Sequence, residues 1–204
     1  MRLKICGIRT NEMLRACQGG QVDFVGFNFV PNSRRRVLRM PEGSSRHRFK
    51  RVGIFRDQPL DFILASVRQH DLDIVQLHGH ESLELIDKLH EKEITIWKAV
   101  SVDENLDLDL LQQYCKKCDL ILFDGANPGS GTEISHPELL LEGTLITKRA
   151  GVKIGLAGGI NTDNVANFKA KFPEAYLLDT ASGIEVNGDF SVTETKRLIN
   201  KFHE

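Results

Sequence analysis

Eight short apolar runs alternate along the chain with stretches of helical spacing, and no linker or low-complexity segment divides them. The repeat, at roughly 25 residues, and the consecutive rather than alternating apolar positions within each run predict an α/β protein, a single (β/α)8 TIM barrel over residues 1–204. Consecutive apolar positions suit strands covered on both faces, as in a parallel sheet wrapped by helices.

The elements follow in order. "LKIC" (3–6) predicts the first strand, and "NEMLRACQGG" (11–20) a helix that starts on an Asn cap and ends in glycines. "DFVGFNF" (23–29) is the second strand. The segment 41–50, interrupted by Gly43, Ser44 and Ser45, predicts only a short or irregular second helix or a loop. "RVGIF" (51–55) leads into "PLDFILASVRQH", with proline in the first turn. "DIVQL" (73–77) leads into "ESLELIDKLHEK", where Leu83, Ile86 and Leu89 share a face, acids come early and lysines late. "TIWKAV" (95–100) precedes "ENLDLDLLQQYCKK", and "DLILFD" (119–124) precedes a helix over 136–150 that Gly143 and Thr144 weaken. "KIGLA" (153–157) and "AYLLD" (175–179) precede "NTDNVANFKAKF" and "SVTETKRLINKF". An open doubly wound sheet is the competitor, but "CGIRTN" after the first strand is not a dinucleotide fingerprint.

Composition narrows the class. The chain has 204 residues and a net charge of −1, an ordinary balance for a globular protein with one sizeable core. No apolar run is long enough to span a bilayer, and "MRLKIC" does not open like a secretory signal. Four cysteines in a chain of this length suggest free thiols in a reducing compartment, so a cytoplasmic protein is expected. Charge is unevenly spread: residues 34–51 carry eight Lys/Arg against the single Glu42. Such a block could bind nucleic acid, attract a small anion, or simply be solvated. It has only Phe49 as a stacking aromatic, so no nucleic-acid partner is expected.

In such a barrel, function gathers where strands end. Cys6 ends strand one, Arg34, Arg35 and Arg36 follow strand two, His78 follows strand four, and Asp124 ends strand six before the glycine loop "GANPGSG". Gly158–Gly159 and Ser182–Gly183 follow strands seven and eight, where backbone N–H groups can approach a phosphate closely. Cys6 and Asp124 can face each other across the mouth, giving a substrate a proton acceptor on one side and a donor on the other. A thiolate can take a proton where positive charge stabilises it, and a buried carboxylic acid can give one.

The motifs "KICGI", "DFVGFNFVPNSRR", "VGIF", "VQLHGHE", "WKAV", "LILFD", "PGSG", "LAGGINTDNV" and "DTASGIE" closely resemble, in order, those of the phosphoribosylanthranilate isomerases. The resemblance implies a (β/α)8 barrel and an Amadori rearrangement in tryptophan biosynthesis, turning N-(5-phosphoribosyl)anthranilate into 1-(2-carboxyphenylamino)-1-deoxyribulose 5-phosphate. It implies no metal and no other cofactor, since the substrate supplies its own electron sink. It also implies Cys6 as general base, Asp124 as general acid, Arg35 as the partner of the anthranilate carboxylate, and "AGG" (157–159) with "ASG" (181–183) as phosphate loops. The expected partner is a phosphorylated small molecule, with no membrane and a monomer or homodimer as the assembly. His78 either contacts substrate or makes a structural hydrogen bond at its strand end. Two positions depart from the family pattern: Arg36 stands where a tyrosine is usual, and "TEISHP" follows "PGSG". "CKKC" (115–118) lacks a second ligand pair for a metal, while Cys17 and Trp97 read as core, and Arg46, Arg48 and Lys50 as solvated.

Overall fold

The structure, a computed structural model, describes residues 1–19, 21–42, 49–125 and 136–204. Eight parallel strands close into a barrel in sequence order: β1 (Arg2–Cys6), β2 (Phe24–Asn28), β3 (Lys50–Phe55), β4 (Ile74–Leu77), β5 (Thr95–Ser101), β6 (Leu120–Asp124), β7 (Lys153–Ala157) and β8 (Leu177–Thr180). The ring closes where β1 pairs with β8, Leu3 opposite Leu178 and Ile5 opposite Thr180. The sheet therefore has no free edge.

Seven helices cover it among the described residues: α1 (Asn11–Ala16), α2 (Leu60–His70), α3 (Leu83–His90), α4 (Leu108–Cys115), α5 (Pro137–Arg149), α6 (Val165–Lys171) and α7 (Val192–His203). No helix lies among the described residues between β2 and β3. The expected short second helix over 41–50 falls largely on residues 43–48, outside the described residues, as do Arg46 and Arg48. The helix-one cap is Thr10 rather than Asn11: the Thr10 hydroxyl accepts from the Met13 amide at 3.2 Å. Pro59 stands at the cap of α2 rather than inside its first turn. The eighth strand starts at Leu177, two residues later than its apolar run suggests: Ala175 serves the turn out of α6, its N–H donating to the Phe172 carbonyl, while Tyr176 just before the strand already bonds Ile154 and Arg2 on either side.

Two layers of core result. Inside the barrel, Phe24, Val52, Ile74, Trp97, Leu120 and Leu177 form an apolar plug, with Phe24 and Trp97 edge to face at 4.9 Å. Between strands and helices, a second layer includes Leu3, Ile5, Phe55, Leu77, Ile121 and Leu178. The plug fills the lower barrel, so polar interior positions cluster toward the strand C-termini. Gly143 does not break α5. A Cβ there would come within 2.7 Å of the Phe123 ring, so glycine is what lets α5 settle on β6.

After β8 the chain makes a 3-10 turn (Ser182–Ile184) and a two-residue hairpin, β9 (Glu185–Val186) with β10 (Asp189–Phe190). Asn187 and Gly188 both have positive φ, 54° and 84°, the conformation an Asn-Gly hairpin turn requires. Among the described residues no helix is long and apolar enough to cross a membrane.

Candidate active site

Cys6 is the last residue of β1, in register with Gly26 of β2. A Cβ on Gly26 would lie 2.8 Å from the Cys6 sulfur. Glycine at that position therefore makes room for the thiol at the mouth. Gly7 follows with φ 83°, and a Cβ there would meet the Arg35 side chain at 2.8 Å. The turn out of β1 thus seats the guanidinium arm beside the thiol.

Asp124 ends β6. His78 follows β4, where its amide continues the ladder by donating to the Phe55 carbonyl at 2.8 Å. Its Nε2 lies 3.3 Å from Asp124 Oδ2, and both side chains are about one-third exposed, at 36% and 34%. Of the two roles the sequence allowed for His78, this places its ring against the strand-six carboxyl.

Two residues of β1 and β8 connect these groups. Lys4, two positions before Cys6 on the same face, is fully buried and bonds Asp179 Oδ2 at 2.6 Å. Burial disfavours the Lys4 ammonium, but Asp179 and Cys6 more than offset it, and its pKa lies above the ordinary lysine value. Burial pushes the Asp179 carboxyl up against the pull of Lys4, with Asp124 adding to the rise and His78 opposing it. Burial likewise pushes the Cys6 thiol up, while Lys4 and Arg35 act to lower it. Cys6, Lys4, Asp179, Asp124, His78 and Arg35 thus interact around one mouth.

Of the three consecutive arginines, Arg35 is the one held over the mouth. Its Nε and Nη2 bond the two Glu185 oxygens at 2.6 and 2.8 Å, a two-pronged pair. Burial disfavours its charge, but the bond to Glu185 outweighs that and its pKa is raised, helped by Cys6 and Asp124. Arg34 bonds the same carboxylate at 2.6 Å but is 60% exposed. Among the described residues, the Arg36 guanidinium reaches the Pro31 carbonyl, at 3.5 Å on the surface. The basic block is in part neutralised elsewhere too, by Arg39–Glu42 and Arg51–Asp71 pairs at 3.2 Å.

The loops after β7 and β8 meet. A Cβ on Gly183 would fall 1.8 Å from the Ile160 carbonyl oxygen, and Thr180 Oγ1 donates to that same oxygen at 2.6 Å. Gly158 and Gly159 have φ of 94° and 69°, and their N–H groups donate to no acceptor among the described residues. Asn164 fixes the turn by donating to the Gly159 carbonyl at 2.9 Å. Gly158, Gly159, Ser182 and Gly183 therefore form one small-residue patch. Gly183→Ala is expected to cost about 1–3 kcal/mol in a urea titration, because backbone rather than a flexible side chain blocks the new methyl. It is also expected to weaken inhibition by inorganic phosphate.

Sequence reasoning assigned no role to Glu185, Lys4, Asp179, Lys98 or Glu81. The signal for two of them was a lysine inside an apolar strand run, in "LKIC" and "IWKAV". A buried ammonium there demands a partner. Glu185→Gln is expected to raise the substrate KM about tenfold with a smaller change in kcat, the loss of one charge-assisted bond that aims Arg35. Steady-state kinetics checks it. Of the "CKKC" pair, both thiols are buried, and burial pushes Cys118 up to about 12. Cys17 is buried at the end of α1 and likewise pushed to about 12. The "PGSG" and "TEIS" segments lie outside the described residues.

The family model for N-(5'-phosphoribosyl)anthranilate (PRA) isomerase matches residues 3–201. The chain belongs to that family. It is accordingly an isomerase of tryptophan biosynthesis. Among curated relatives, the N-(5'-phosphoribosyl)anthranilate isomerase of Caldanaerobacter subterraneus is 31% identical over 210 residues, covering 98% of this chain and 97% of the relative. Among solved structures, the phosphoribosyl anthranilate isomerase of Thermus thermophilus superposes with a TM-score of 0.80 at 29% identity, covering 100% of this chain and 98% of that one. A phosphoribosyl anthranilate isomerase in complex with reduced 1-(o-carboxyphenylamino)-1-deoxyribulose 5-phosphate superposes with a TM-score of 0.77 at 27% identity, covering 100% and 98%.

Proposed function

We propose that this isomerase carries out the Amadori rearrangement of N-(5-phosphoribosyl)anthranilate with Cys6 as general base and Asp124 as general acid. The observation that supports this division most is their shared mouth. The thiol ends β1, the carboxyl ends β6, and the Lys4–Asp179 pair links their fields.

Asp124, protonated, gives its proton to the furanose ring oxygen as the C1–oxygen bond breaks. The nitrogen lone pair forms the C1=N bond, and the ring opens to an iminium cation. That cation makes the C2 proton acidic. Cys6 as thiolate removes it, and the C2–H electron pair becomes the C1=C2 bond of an enolamine while the iminium electrons return to nitrogen. Proton gain at C1 and loss from the C2 hydroxyl complete the ketone. The iminium is the electron sink, so the steps balance with side chains alone. His78, 3.3 Å from Asp124, orients the carboxyl. Arg35, aimed by Glu185, meets the anthranilate carboxylate with its remaining N–H edge. The small-residue patch of Gly158, Gly159, Ser182 and Gly183 takes the phosphate. Every residue given a role lies in one chain, so the site needs no second copy, and either a monomer or a homodimer serves. A cytoplasmic setting suits the reduced thiol at its centre.

The test is an assay with freshly made phosphoribosylanthranilate, following loss of its fluorescence. Turnover without added metal is expected. No turnover, or turnover only of a different phosphosugar, would contradict the proposal.

A further inference from the structure

We propose that Lys4, clamped by Asp179, is a positioning residue that supplies the internal counterion for the Cys6 thiolate. The inference rests on Cys6 being the base, and its test is chosen to fail separately from that reading.

The geometry is specific. Lys4 and Cys6 lie two residues apart on β1 and so project from the same face of the strand. The Lys4 side chain is 0% exposed and its ion pair with Asp179 is 2.6 Å long. An ion pair so deep gains little over an apolar pair of the same volume, and breaking it is costly. A charge in that place therefore calls for a use. The Lys4 ammonium donates to Asp179 Oδ2. Asp179 Oδ1 has no partner among the described residues. The carboxylate thus holds the lysine by one oxygen, which leaves N–H groups of the ammonium free on the strand face that also carries Cys6.

The charged groups that act on Cys6 come from each neighbouring element. Lys4 on β1 and Arg35 after β2 favour the thiolate, and Asp179 on β8 opposes it. Asp124 on β6 and His78 after β4 act on Asp179 in turn. Gly26, opposite Cys6 on β2, carries no charge. In the resting pair the charges of Lys4 and Asp179 cancel. When Cys6 ionises, the one ammonium acts favourably on both anions.

The signs give opposed expectations. Lys4→Met removes the cation, so the pH at which Cys6 ionises should rise by about one unit or more. Asp179→Asn removes an anion and keeps the cation, so that pH should fall. Lys4→Arg keeps the charge and should stay nearer the parent than Lys4→Met. The readout is iodoacetamide alkylation of Cys6 against pH, with the modified peptide quantified by mass spectrometry. It needs no turnover. In parallel, Lys4→Met should lower kcat about tenfold at neutral pH, move the rising limb of its pH profile upward, and leave KM within about threefold. Asp179→Asn is close in shape to the parent, so it decides the matter if Lys4→Met does not fold. Alkylation profiles that coincide with the parent's, or that move the same way in Lys4→Met and Asp179→Asn, would overturn the proposal. Full activity in Cys6→Ser would instead overturn the base assignment, whatever the alkylation profiles show.

Discussion

Cys6→Ser is expected to lower kcat by about 10²–10⁴-fold while the barrel stays folded, and Asp124→Asn to do the same. A serine hydroxyl matches the thiol in shape but is a far weaker acid, so no anion is available to take the C2 proton. Asparagine keeps the contact to His78 Nε2 but cannot release a proton to the ring oxygen. Neither change opens a cavity. Cys6 and Asp124 are both partly exposed at the mouth, outside the apolar plug. The thermal midpoint should therefore stay near that of the parent, and the two losses should differ in kind. With Asn at 124 the ring fails to open. With Ser at 6 it opens, and deuterium at C2 exchanges with solvent slowly or not at all. Near-full activity in either variant would remove that residue from its role.

The second large effect is on stability. Lys98→Met is expected to cost about 3–5 kcal/mol in chemical denaturation. The Lys98 ammonium, on β5, is buried and bonds Glu81 Oε2 at 3.0 Å and the Gly79 carbonyl at 2.6 Å. Glu81 in turn accepts from the Gly79 amide at 2.9 Å and the Asp57 amide at 3.2 Å. Asp57, at a φ of 57°, accepts from the His80 amide at 2.6 Å. One ion pair therefore pins the turns after β3 and β4, and with them the backbone that carries His78. Removing the cation alone leaves a carboxylate buried and short of a partner. Lys98→Met with Glu81→Gln should recover part of the loss, because the amide remains a hydrogen-bonding group without the charge. A cost under about 1 kcal/mol for the single change would mean that solvent reaches the pair.

These pairs also mark where the sequence was opaque. The strands could be read because each is a short apolar run between polar helices, and chain order equals barrel order. Cys6 and Asp124 could be read because each is a reactive group where such a run stops. Lys4 and Lys98 were visible as charges inside strands, but their partners lie 175 and 17 residues away: closure of β1 on β8 brings Lys4 to Asp179, and the pairing of β4 with β5 brings Lys98 to Glu81. Glu185 lies 150 residues from Arg35, so nothing local linked it to the arginine whose aim it sets. Other misses were local. Thr10 and Asn11 both suit a helix cap, and their order was decided by backbone angles. Gly143 reads as a helix weakener unless the ring of Phe123 is known to lie beneath it. The Asn187–Gly188 turn carried an ordinary hairpin signal between segments too short to read as strands.

The most direct measurement is a crystal structure of this chain with a reduced, non-isomerisable product analogue. The Cys6 sulfur and the Asp124 carboxyl should lie on opposite sides of the bound sugar, each within about 3.5 Å of the atom it serves, with the phosphate on the Gly158–Gly159 and Ser182–Gly183 loops. An analogue seated with the sulfur out of reach of C2, or with thiol and carboxyl on the same side, would contradict their roles as base and acid.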